Sequence, residues 1–179
     1  MQAAKPFIYE QCIHAKAPEP GGLAFITIGK TMRGKNDDGT DLYDALSEES
    51  LGGFCRFDLG SYTSFLADCL HNHKAAIIVD STSYGTAPGT VSLIDVSAVT
   101  DGASPINIQS SHGASIAEEL RVAQKRGRLP KRIILLGLET AGSSAARYLD
   151  NLPKQSYAAV VANLTLLIRK VLETLQRLE

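Results

Sequence analysis

Cysteine is scarce in this chain. Only Cys12, Cys55 and Cys69 occur, an odd number without CxxC spacing, which excludes a disulfide framework and a zinc knuckle. A surplus of either charge is missing too: 18 Lys and Arg stand against 19 Asp and Glu, for a net charge of −1. Such a balance provides no bulk field for nucleic acid or an anionic membrane, so neither partner is expected. No apolar run approaches the roughly 18 residues that span a bilayer. The opening Met1-Gln-Ala-Ala-Lys-Pro-Phe-Ile-Tyr-Glu10 lacks the apolar core of a signal peptide. The expected location is therefore the cytoplasm.

Several catalytic signatures are absent as well. No HExxH zinc motif and no Gly-x-Ser-x-Gly nucleophile elbow exists. Gly29-Lys30-Thr31 imitates the end of a phosphate-binding loop, but the position that must be glycine is Ala24. His71-Asn72-His73 has a spacing that splays two side chains on a helix, and it reads as a solvated helix end, with metal binding the lesser alternative.

What remains is an ordinary globular composition, 44% hydrophobic and 21% charged over 179 residues, enough for one domain with a sizeable core. A Pro/Gly-rich opening sets off residues 1–22 as an N-terminal extension, leaving 23–179 as a single α/β domain. Leu23–Ile28 reads as a buried strand, 41–49 as a helix, 53–58 as a short strand and Tyr62–Asn72 as a helix. The apolar run Ala75–Val79 suits a strand covered on both faces, as in parallel sheets. Thr90–Val96 is another strand candidate.

Ser115-Ile-Ala-Glu118 fits a capping box ahead of the stripe Ile116, Leu120 and Ala123, and Gly127 and Pro130 stop that helix. Arg132–Leu138 is a further strand. The chain closes on a helix over 156–178 with Val160, Leu164, Leu167, Val171, Leu175 and Leu178 at helical spacing. Strands alternating with helices predict a three-layer αβα sandwich around a mostly parallel, twisted sheet.

Three polar segments stand out against this frame: Gly29–Gly39, Val79-Asp-Ser-Thr82 and Ser110-Ser-His-Gly113. In open α/β sheets ligands bind beyond the carboxyl ends of the strands. Asp80 directly follows an apolar strand, the loop with Asp37 and Asp38 follows the first one, and His112 precedes the capped helix. Two carboxylates and an imidazole make a borderline-hard donor set that suits nickel, zinc or manganese and leaves positions open. The helix dipole behind His112 opposes its protonation, and a neutral imidazole is what ligation requires. Each residue also has a plainer reading: Asp80 as a loop or cap residue, Asp38-Gly39 as a turn, and His112 as a backbone partner.

Taken in order, these segments resemble the endopeptidases that mature nickel–iron hydrogenases. The family's first motif, Gly-Asn-x-Leu-x-x-Asp-Asp/Glu-Gly after a strand, is similar to Gly29–Gly34 followed by Asp37-Asp38-Gly39. Its second, an aspartate ending an apolar strand before a Pro-Gly segment, resembles Ile77-Ile-Val-Asp80 and Gly85–Val91. Its third, a histidine before a helix closed by Gly-x-x-Pro, resembles Ser111-His-Gly113 and Gly127–Pro130.

The resemblance implies a monomeric cytoplasmic protease that removes the C-terminal tail of a hydrogenase large-subunit precursor after nickel insertion. Asp38, Asp80 and His112 would contact the metal and serve the cleavage, reading nickel that sits in the substrate rather than in the enzyme. A non-catalytic protein that recognises metal or peptide on the same fold is the alternative. The chain departs from the pattern in four places. Lys30 replaces Asn, Lys35-Asn36 is an insertion that leaves Asp37 and Asp38 as rival first ligands, Glu139-Thr140 replaces a Gln-Pro pair, and the N-terminal extension is added.

Overall fold

The computed structural model describes residues 22–28, 54–60, 62–82, 84–97, 116–139 and 154–176. Five strands form one sheet: β1 Gly22–Ile28, β2 Phe54–Gly60, β3 His73–Thr82, β4 Val91–Asp95 and β5 Arg132–Glu139. The helices are α1 Leu66–Leu70, preceded by a 3-10 turn at Thr63–Phe65, then α2 Ile116–Lys125 and α3 Lys154–Gln176. The 41–49 helix, Ser115 of the capping box and residues 1–21 lie outside the described residues. Among the described residues, no helix is long and apolar enough to cross a membrane.

Strand order is β2-β1-β3-β5-β4. The pairs β1–β2, β1–β3 and β3–β5 are parallel, and only β4 runs antiparallel, against β5. That reversal follows from chain length. A parallel return needs a crossover of about a dozen residues or more, and the short connection between Thr82 and Val91 is too brief. The four parallel strands therefore end at one carboxyl edge, and β4 begins there.

Apolar residues on alternate positions build a core on each face of the sheet. Ala24, Ile26, Ile28, Ala76, Ile78, Ile133 and Leu135 meet Leu66 and Leu70 of α1 and Ile116, Leu120 and Ala123 of α2. On the other face Leu23, Phe25, Ile77, Val79 and Leu136 meet Leu164, Ile168, Val171 and Leu175 of α3. The result is the expected αβα sandwich. Each fully buried Leu or Ile is worth about 1.5–3 kcal/mol of transfer free energy, which is why β3 and β5 are apolar on both faces.

Gly127 ends α2 as expected. It adopts φ 65°, and the Arg128 and Gly127 N–H groups donate to Ala123 O and Gln124 O, a Schellman closure.

The sequence reading misplaced one feature. Helix α1 stops at Leu70, and Asn72 takes the left-handed φ of 65°, so the strand begins at His73. His73 is buried, edge-on to Phe57 at 5.7 Å, and is not part of a solvated helix end. Burial pushes its pKa below the ordinary 6.5, outweighing the nearby α1 carbonyls that favour the charged form. Neither ring nitrogen makes a hydrogen bond of good geometry.

The unfolded chain thus binds this proton more readily than the native one. Stability from His73 is fully present above about pH 6.5 and is lost as pH falls through its lowered native pKa. His73→Phe is expected to flatten the fall of urea stability between pH 6.5 and 5; an unchanged slope would contradict this.

Candidate functional site

The carboxyl edge gathers the polar residues that the two cores cannot use. Asp80 is 0% exposed, and its Oδ1 accepts the Ser81 N–H at 2.7 Å. Burying a carboxylate costs several kcal/mol unless charge or hydrogen bonds compensate it, so its retention asks for a reason. In register Asp80 pairs with Gly137 and Thr82 with Glu139. Since side chains alternate along a strand, all four share the sheet face of Ile78 and Leu135, the face covered by α1 and α2.

The two expected partners of Asp80, Asp38 (or its rival Asp37) and His112, lie outside the described residues. Their flanking anchors do not. Thr27 pairs with Val79, so Ile28, the last described residue before the Asp37-Asp38 segment, is level with Asp80 and belongs to the same core. Ile116 opens α2 just after His112 and packs in that core too.

Helix α2 spans about 15 Å. Its end lies toward the amino edge, where the Lys131 N–H donates to Lys74 O at 3.1 Å, so its start is directed toward the carboxyl edge. Among the described residues alone, no group of three His, Cys, Asp or Glu side chains is placed to hold a metal. The donor chemistry of Asp80 suits a hard or borderline cation, and the remaining donors would have to come from those two segments.

Sequence reasoning missed Glu139 and Tyr84. Glu139 ends β5 as Asp80 follows the apolar part of β3, a carboxylate after an apolar run, and that shared signature was the available signal. It is 0% exposed. Its Oε2 accepts the Tyr84 N–H at 2.6 Å and the Thr86 hydroxyl at 3.4 Å. Tyr84 is partly exposed, and its phenol pKa is raised, first by burial and then by the charges of Asp80 and Glu139.

Cys55 and Cys69 are buried, Cys69 within the core under α1, and burial pushes the Cys55 thiol up, which does not suit a nucleophile. A shallow cavity of about 340 Å³ lies on the opposite face, between Gly89 and Val91 and the α3 residues Val160, Asn163, Leu166 and Leu167. Among the described residues, no titratable group lines it.

With this geometry in hand, comparison with known proteins is informative. A family model described as HycI, hydrogenase maturation protease, matches residues 46–152, a span that includes Asp80 and His112 and begins after Asp38. The fold is similar to the solution structure of an endopeptidase from Escherichia coli, with 20% identity over 82% of this chain and 89% of that one and a TM-score of 0.55. It is also similar to hydrogenase 2 maturation peptidase from Thaumarchaeota archaeon SCGC_AB-539-E09, with 22% identity, 84% and 97% coverage and a TM-score of 0.52. The NiFe hydrogenase maturation protease HycI from Thermococcus kodakarensis KOD1 is 18% identical, with 93% and 99% coverage and a TM-score of 0.50. At such identities the likeness is one of fold. No curated protein matches by sequence.

Proposed function

Because this chain belongs to the hydrogenase maturation protease family, we propose that it removes the C-terminal tail of a nickel–iron hydrogenase large-subunit precursor, reading the nickel already seated in that substrate through Asp38, Asp80 and His112. The observation that carries the reading is Asp80, a carboxylate wholly buried at the carboxyl edge, on the sheet face where the chain leaves for Asp38 and resumes after His112. Two carboxylates and a neutral imidazole would complete the coordination of a cation that the substrate supplies. A metal held so lowers the pKa of a bound water and polarises a carbonyl, which is what peptide hydrolysis at neutral pH requires. Coordination by groups of the enzyme would also make cleavage conditional on nickel insertion, since an empty precursor offers these residues nothing to bind.

The test is direct. Purified protein is mixed with a nickel-loaded large-subunit precursor encoded in the same genome, and the mass of the precursor is followed. Loss of the C-terminal tail from the loaded form, with the nickel-free form intact, is expected. Binding of the loaded precursor without cleavage would favour a recognition protein, and an intact loaded precursor with no binding would sink the reading.

A further inference from the structure

The segment Tyr84–Thr90 crosses the carboxyl edge between Asp80 and β4, and it is exposed throughout except at the half-buried Gly89. Gly85 and Gly89 hold φ of 76° and 86°, conformations that give the segment its shape but do not restrain it. The restraint comes from one residue. Glu139 takes the Tyr84 N–H and the Thr86 hydroxyl on its side chain, takes the Gly89 N–H at 2.9 Å on its carbonyl, and donates its own N–H to Thr90 O at 2.9 Å. Both ends of the segment are thus fixed to the last residue of β5.

An exposed connection on a structural scaffold does not need this. A neutral acceptor would avoid the cost of burying a carboxylate, whereas a charged one forms a bond about twice as strong. Here the stronger bond fixes the backbone of Tyr84, a residue 37% exposed and close in sequence to a buried Asp80 that shares the sheet face of Glu139.

We propose that Glu139 is a positioning residue for substrate binding: it holds Tyr84–Thr90 as a rigid wall beside Asp80, against which the substrate polypeptide is laid, with the Tyr84 ring and hydroxyl as the contact. This role rests on the proteolytic reading above. Glu139 acts through the wall and touches no reacting atom, so its removal loosens substrate binding and leaves the bond-breaking step largely intact.

Wild type, Glu139→Ala, Glu139→Gln and Tyr84→Ala are compared on the nickel-loaded large-subunit precursor, with amide hydrogen exchange across 84–90 recorded for each. Glu139→Ala is expected to raise KM about tenfold while kcat stays within about threefold, and to speed exchange at Tyr84. Glu139→Gln should recover only part of both values, because its amide oxygen still accepts the Tyr84 N–H but in the weaker, uncharged bond. Tyr84→Ala should raise KM similarly, and the Glu139→Ala/Tyr84→Ala pair should add little, since both act on one wall.

A solely structural Glu139 would lower the melting temperature and the active fraction without moving KM, and that result overturns the proposal. So does an unchanged KM for Tyr84→Ala, a surface change that does not threaten folding. A wild-type protein that leaves the precursor uncut overturns the proteolytic reading and this role with it; wild-type cleavage with unmoved variants overturns this role alone.

Discussion

Asp80→Asn is expected to abolish tail removal while leaving the domain folded. The substitution keeps the shape of the side chain and the oxygen that accepts the Ser81 N–H, so the carboxyl end of β3 retains its local geometry. What it removes is the negative charge. A metal-reading or water-activating carboxylate loses its function with that charge, and the cleavage rate should fall by about 10²–10⁴-fold. The new amide N–H groups are buried, and leaving them unsatisfied costs about 1–3 kcal/mol, or roughly 2–12 °C in melting temperature for a domain of this size.

Rate and melting temperature together decide the role. Near-wild-type cleavage by a folded Asp80→Asn protein would remove Asp80 from the site, and global unfolding would make it a structural residue. His112→Ala should reproduce the loss. Asp38→Asn and Asp37→Asn should then separate the two rival ligands, since only the true one shares the phenotype.

Much of this fold could be read from the pattern of apolar residues, because burial on both faces leaves no alternative reading for runs such as Ala75–Val79 and Ile133–Leu136. The direction of β4 could not. Its residues suit either orientation, and the decision rests on how far the chain can travel between Thr82 and Val91.

Helix α3 shows a finer limit. Leu164, Val171 and Leu175 are buried as the spacing implies, but Ile168 completes the stripe, while Leu167 sits at its flank, half-buried. At about 100° per residue the two neighbours straddle the edge of one face, and only the packing partner decides between them.

At the candidate site, Asp80 stood out in the sequence as a carboxylate after an apolar run, and the structure buries it at the carboxyl edge. Glu139 carried the same mark, yet its significance lies in the segment that it holds, some fifty residues earlier in sequence. No local pattern encodes that contact. His73 was misread for a similar reason: one left-handed residue, Asn72, turns the chain and moves the imidazole from surface to core.

Gly137→Ala should damage both stability and cleavage, and cleavage more. Gly137 lies in register with Asp80, so the spacing of β3 and β5 at this point sets where the carboxylate sits. A Cβ at position 137 would lie 2.5 Å from Thr82 Cγ2, 3.0 Å from its Oγ1 and 3.4 Å from its Cβ. Thr82 is buried and β-branched, so its side chain cannot swing aside as the tip of a long flexible one would. The strands must part or twist instead.

Overpacking of this kind costs about 1–3 kcal/mol, again roughly 2–12 °C in melting temperature. A displacement near 1 Å at a reacting group can cost about 10²-fold in rate, so activity should drop well beyond the loss of folded protein. Thr82→Ala removes the obstructing methyl together with a hydroxyl that makes no hydrogen bond, and should itself be mild. Combined with Gly137→Ala it should recover most of both losses, giving a coupling of about 0.5–3 kcal/mol in a double-mutant cycle on melting and on kcat/KM. Strictly additive effects would show that the two residues do not compete for the same space, and the steric account of Gly137 would fall.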